Sequence, residues 1–197
     1  MRVMLGSGDR EKPITSYSTS NSIDNYFFML IDQPSNPDWL DSDATGCSVD
    51  RICMNALLSI GSADPTAAQL SSKPYGWYLE LDDTEQVVTS AVTGLGKVIF
   101  STHTPAVQEE GVCSSLGIAK AYSISYVDAS ADGDRYVFVE GGGLPPSPVI
   151  VQVILDDGSE ATICISCGEN RFEVQDPFEA KVLPIQPKSR VYWNIEQ

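Results

Sequence analysis

Apolar and polar residues along this chain fall into short runs rather than long periodic stretches. β-branched and aromatic side chains cluster in these runs, and Gly, Pro, Asp and Ser bound them. The pattern predicts strands over Arg2–Gly6, Tyr26–Asp32, Trp77–Leu81, Gln86–Val92, Val98–Thr102 and Ala121–Val127. Further strands are expected over Arg135–Glu140, Val149–Leu155, Glu160–Ser166, Arg171–Val174, Ala180–Ile185 and Val191–Asn194. A series of short strands with turns between them predicts an all-β fold. One helical stretch is expected around Val49–Ser59, where Ile52, Ala56 and Leu57 share a face.

The punctuation carries further information. Asp156-Asp157-Gly158 and Thr93-Gly94-Leu95-Gly96-Lys97 each lie between two β-rich runs and read as hairpin turns, because glycine accepts positive φ. Gly141-Gly142-Gly143-Leu144-Pro145-Pro146-Ser147-Pro148 breaks the pattern most strongly and marks an internal boundary at 141–148. Two long segments, Gln33–Pro74 and Pro105–Leu116, carry no obvious strand and read as loops.

Composition narrows the class. The chain has 197 residues, 42% of them hydrophobic, which is enough to bury a core. Its 27 acidic and 12 basic residues leave a net charge of -15. That field repels phosphate backbones and anionic lipid, so nucleic acid is excluded as a partner. No apolar run reaches the roughly 20 residues of a membrane helix. The start, Met1-Arg2-Val3-Met4-Leu5-Gly6, is too quickly polar for a signal peptide. Five cysteines, at 47, 53, 113, 164 and 167, are many for a reducing compartment. Together these features lead us to expect a fragment of a longer secreted protein.

Cys47 and Cys53 are close enough to close a small loop as a disulfide. Cys164-Ile165-Ser166-Cys167 has zinc-knuckle spacing, but tetrahedral zinc needs two more ligands and no second close pair exists. A strand-end disulfide, or separate pairing with Cys113, is the expectation there. Asp41 and Asp43 open a calcium-like loop at Asp41-Ser42-Asp43-Ala44-Thr45-Gly46, yet position twelve is Ile52 where a bidentate acid belongs. Asp128, Asp132 and Asp134 form a second acidic turn with no closing ligand; both turns read as solvated, with calcium as the sharper alternative. His103 is the sole histidine, and Ser101, Thr102 or Cys113 are nominal nucleophiles beside it. Its place in Ser101-Thr102-His103-Thr104-Pro105, at a strand end, points to turn hydrogen bonding rather than catalysis. Gly6-Ser7-Gly8-Asp9-Arg10-Glu11 lacks the ending of a phosphate loop; its glycines suit a tight strand exit, with Arg10 paired to a carboxylate. Trp77, Tyr78 and Trp193 read as packing between sheets.

Several patches in order resemble the propeller of type IV pilus tip-associated and biogenesis proteins of the PilC/PilY group. They are Gly6, Gly8, Asp9, Arg10 and Glu11 after a strand; Asn25–Asp32; Gly76-Trp77-Tyr78-Leu79-Glu80-Leu81; Val98–Pro105; Pro145 in its breaker; and the closing Arg190-Val191-Tyr192-Trp193. Thr84 departs from the pattern by standing where a glycine is expected before Glu85. The resemblance implies a partial, quinoprotein-like β-propeller across 1–197, with about four blades of antiparallel strands. Four blades are too few to close, so the open edges would meet the rest of the propeller or a second copy. It also implies a non-enzymatic scaffold or adhesin at the pilus tip, on the cell surface or outer membrane. Minor pilins would be its partners, together with a surface receptor, and it would need no cofactor. A quinoprotein-type dehydrogenase fragment and structural blades of an unrelated secreted protein are the alternatives.

Overall fold

The structure is a computed structural model, and it describes residues 1–11, 23–40, 47, 50–106, 116–131, 133–156 and 158–168. The expected strands beyond Gly168, with Trp193, lie outside these residues, as do Asp41, Asp43, Cys113 and Asp132. Within them the chain is nearly all β, in three open sheets, none of which closes on itself.

The first sheet has the order β1-β2-β4-β3, built from β1 (Arg2–Gly6), β2 (Tyr26–Ile31), β3 (Leu58–Ile60) and β4 (Gly76–Glu80). β2 pairs antiparallel with β1 and β4, whereas β3 lies parallel to β4. The second sheet runs β5-β7-β8-β9, with β6 also pairing β7. Its strands are β5 (Gln86–Val87), β6 (Val92–Gly94), β7 (Lys97–Thr104), β8 (Ile118–Ser125) and β9 (Tyr136–Phe138). β10 (Val149–Ile154) and β11 (Glu160–Ile165) form a separate hairpin.

The first two sheets pack face to face, because each turns its apolar positions toward the other. Phe27, Met29, Trp77 and Leu79 come from the first sheet; Val87, Val98, Phe100 and Ile124 come from the second. Phe27 stacks on Phe100 with ring centroids 3.8 Å apart. Phe100 in turn stacks on Tyr122 at 4.9 Å, and Tyr122 meets Tyr136 at 5.2 Å. Offset aromatic pairs add about 0.5–1.5 kcal/mol each beyond the area they bury. Gly76 has to be glycine: its φ is +125°, and a Cβ there would stand 1.9 Å from the carbonyl oxygen of Met29.

Two expectations need correction. The described residues of the Val49–Ser59 stretch hold a 3-10 turn at Met54–Ala56 in place of a longer helix, after which the chain extends into β3. Among the described residues a helix lies further on, as α1 (Ala67–Ser72), capped by Thr66 and Gln69 in a reciprocal box. Gln86–Val92 is also not one strand. Ser101 donates its N–H to the Thr89 hydroxyl instead of to a backbone carbonyl, so the ladder on β7 breaks between β5 and β6. The turns come out as expected. Leu95 and Gly96 both have positive φ, which twists the β6–β7 connection to suit its strands. The β10–β11 turn closes with Gly158 N–H donating to Leu155 O.

Candidate functional site

β4 leaves the first sheet through the turn Asp82-Asp83-Thr84-Glu85, closed by Glu85 N–H donating to Asp82 O at 2.9 Å. Thr84 sits third in this turn with φ +67°. That conformation favours glycine and penalises a β-branched residue. The departure noted in the sequence thus coincides with a strained position. The turn drives the Glu85 side chain into the interior, where it is fully buried.

A buried carboxylate must be paired and hydrogen-bonded. Thr102 on β7 donates its hydroxyl to Glu85 Oε1, and Tyr122 on β8 donates to the same oxygen at 2.9 Å. Lys120 on β8 places Nζ 2.7 Å from Glu85 Oε2 and 2.5 Å from Asp82 Oδ2. The same ammonium lies 4.5 Å from the centre of the Tyr136 ring. Burial pulls the Lys120 pKa down, but the hydrogen bonds it donates to Asp82 and Glu85, with the charges of both carboxylates, outweigh it and raise the value. Burial, then the Glu85 charge, drives the Tyr122 phenol well above its ordinary range. Lys120 is therefore held as a cation, with no lone pair for nucleophilic attack. This cluster anchors the turn.

Beside the anchor lies a groove of about 1250 Å³ between the first and second sheets. Ile60 and Leu79 line one wall; Tyr136, Val137 and Phe138 line the other. Glu80, Asp82, Asp83 and Asp134 bring carboxylates to it, all on exposed residues. Arg135 is buried at its end and binds across the gap between sheets. It donates to the carbonyls of Gly61, Ala129 and Ala63, and its Nη2 lies 3.3 Å from Asp64. Burial lowers its pKa, and Asp64 partly offsets this.

The residues singled out in the sequence are dispersed. His103 is buried, with Nε2 2.9 Å from Leu116 O, so that nitrogen carries the proton and donates. Thr102 points to the opposite face of β7 and is bonded to Glu85. The Ser101 hydroxyl and His103 Nδ1 have no hydrogen-bond partner among the described residues, so neither Ser101 nor Thr102 is paired with the histidine. Cys47 bonds Cys53, as expected, and Cys164 bonds Cys167, the strand-end disulfide that was one of the two pairings expected there. Asp128 accepts from Ser130 N–H at 3.2 Å and from its hydroxyl at 2.6 Å, while Asp134 opens onto the groove. Among the described residues no group of three or more His, Cys, Asp or Glu is placed to hold a metal.

The Gly6–Glu11 patch ties the two sheets together. Val87 N–H donates to Ser7 O at 3.0 Å, and Asp9 N–H donates to Gln86 Oε1 at 2.9 Å. Arg10 donates to the carbonyls of Val88 and Pro145, where a carboxylate partner was expected. Glu11 N–H closes onto Asp9 Oδ1. Gly6 rests on the Val87 side chain, and Trp77 is core. The sequence reading missed Asp82, Glu85, Lys120 and Arg135. Lys120 left a signal, as a lone cation in a strand otherwise composed of small, apolar and hydroxyl residues.

No family model matches the sequence, and no curated protein matches it. Among solved structures, the chain is similar to the C-terminal domain of PilY1 from Pseudomonas aeruginosa, with a TM-score of 0.48 and 14% sequence identity. The match covers 83% of this chain and 40% of that one, so the chain spans less than half of that domain's length. No helix among the described residues is long and apolar enough to cross a membrane.

Proposed function

We propose that this chain is a non-enzymatic scaffold of a type IV pilus assembly, working at the cell surface beside minor pilins and contributing to adhesion. The ordered motif patches from Gly6 to Trp193 support the pilus assignment. The two disulfides suit an oxidising, extracytoplasmic setting. The observation that carries the non-enzymatic part is the use of the buried ionisable groups. Lys120 and Tyr122 both donate to Glu85, and Arg135 is spent on carbonyls. The open end sheets would continue into the rest of a propeller.

Deleting the coding segment in the organism that carries it, and counting surface pili by electron microscopy, tests the assignment. Fewer pili, restored by a plasmid copy, is the expected result; unchanged piliation and adhesion would sink it. Dye reduction by the purified chain supplied with quinone and calcium would overturn the non-enzymatic reading in favour of a dehydrogenase fragment.

A further inference from the structure

We propose that the groove between the first and second sheets binds an extended segment of another protein carrying alternating basic and apolar residues. This goes beyond the scaffold reading and holds whether or not the assembly is a pilus. Charge complementarity identifies the occupant. Glu80, Asp83 and Asp134 line the groove beside Asp82, whose charge Lys120 already shares, and Arg135 is the one basic residue among its described lining. Arg135 has already spent its guanidinium on carbonyls and Asp64. A cationic segment is therefore attracted, and an acidic one repelled.

The apolar side of the specificity comes from β9. Phe138 is 63% exposed and Val137 37% exposed, on a strand that forms the outer edge of its sheet among the described residues. Val137 pairs with Ala121, while Ser123 N–H bonds Arg135 O and Val139 N–H bonds Ala119 O. In an antiparallel ladder the alternate residues, Tyr136 and Phe138, then direct their backbone N–H and C=O groups to the open side. A strand laid there gains main-chain hydrogen bonds, and its side chains alternate between apolar wall and acidic rim. The Tyr136 and Phe138 rings meet edge to face at 5.6 Å; Lys120 already sits over Tyr136, and the exposed Phe138 ring offers an incoming cation a π surface.

The probes are fluorescein-labelled peptides of about eight residues, one alternating lysine and valine, the other glutamate and valine. Fluorescence anisotropy with the full chain should show saturable binding of the lysine peptide alone, weakening as salt rises. Asp83→Asn with Asp134→Asn should weaken it at least about fivefold, and Phe138→Ser about tenfold. Neutralising two distant exposed acids instead, with Asp38→Asn and Glu160→Gln, should leave it unchanged. Hydrogen exchange should slow at the Tyr136 and Phe138 amides when the lysine peptide is present. Equal loss in the distant variant would mean diffuse attraction to an acidic chain and would overturn the proposal. So would binding of neither peptide, as expected if the chain's own residues 169–197 fill the groove, or sedimentation showing a second copy there.

Discussion

Lys120 Nζ stands 2.7 Å from the Oε2 of Glu85, inside a face-to-face pair of β-sheets, and it is shared with Asp82 on the turn that delivers Glu85. One ammonium thus joins β8 to the exit of β4. Removing one partner of a buried pair leaves the other uncompensated, which costs about 3–5 kcal/mol. Lys120→Met should therefore destabilise by that order in urea unfolding. Glu85→Gln, which can still accept from Thr102 and Tyr122, should cost less. Equal stability of wild type and Lys120→Met would show that the cluster contributes nothing.

The pH dependence has a defined sign. Lys120 and Tyr122 both have pKa values raised in the folded protein. A group that holds its proton more tightly when folded stabilises fully below its unfolded pKa, which is about 10 for both residue types. That stability is lost as pH rises through the folded value. Melting temperature should hold on this account from neutral pH to about 10 and then fall. Tyr122→Phe should flatten part of the alkaline fall, and a slope identical to wild type would refute the assignment.

Thr84 holds φ +67° in the turn between β4 and β5. A non-glycine residue there is strained by about 1–3 kcal/mol, of which glycine's extra chain entropy recovers only part. Thr84→Gly should stabilise by about 1 kcal/mol, seen as a rise of roughly 2–4 °C in melting temperature. Thr84→Ala should gain nothing comparable, because alanine keeps the Cβ.

Cys47 and Cys53 lie six residues apart and are bonded. Chain-entropy arguments give so short a loop about 2 kcal/mol. Cys47→Ser with Cys53→Ser should lower stability by that order, with the loss confined to the cluster of Leu57, Tyr75 and Trp39 that packs around Cys47. Hydrogen exchange should accelerate there and not along β7 and β8.

Legibility followed the strength of local signals. β1 matches its expected bounds, and β10 and β11 each end one residue early, because each is a short β-rich run with a turn residue at or just beyond its end. β3 was invisible. Its three residues pair in parallel with a strand that begins sixteen positions later at Gly76, and nothing local encodes that partnership. Thr66 and Gln69 do carry a written capping signal, which the long loop assignment passed over. The groove is harder still. Its walls come from Ile60, Leu79 and Phe138, brought together only by packing of one sheet on another.

The two sheets also differ in how their strands are spaced along the chain, and this sets an order of assembly. β5 to β9 fall within residues 86–138, and β6 reaches β7 through Leu95 and Gly96 alone. In the first sheet, β2 ends at Ile31 and must wait for Gly76 before its second partner exists. Closing the longer loop costs more entropy and repays it later. A ribosome releasing this chain leaves the β2 edge without its β4 partner for the time needed to make about 45 further residues, and the Phe27 and Met29 face uncovered for longer, until the strand that carries Phe100 exists. The second sheet is expected to form as a template on which that face then condenses. Pulse-labelled hydrogen exchange during refolding should find β7 and β8 amides protected before those of β1 and β2, and the reverse order would place the nucleus in the first sheet.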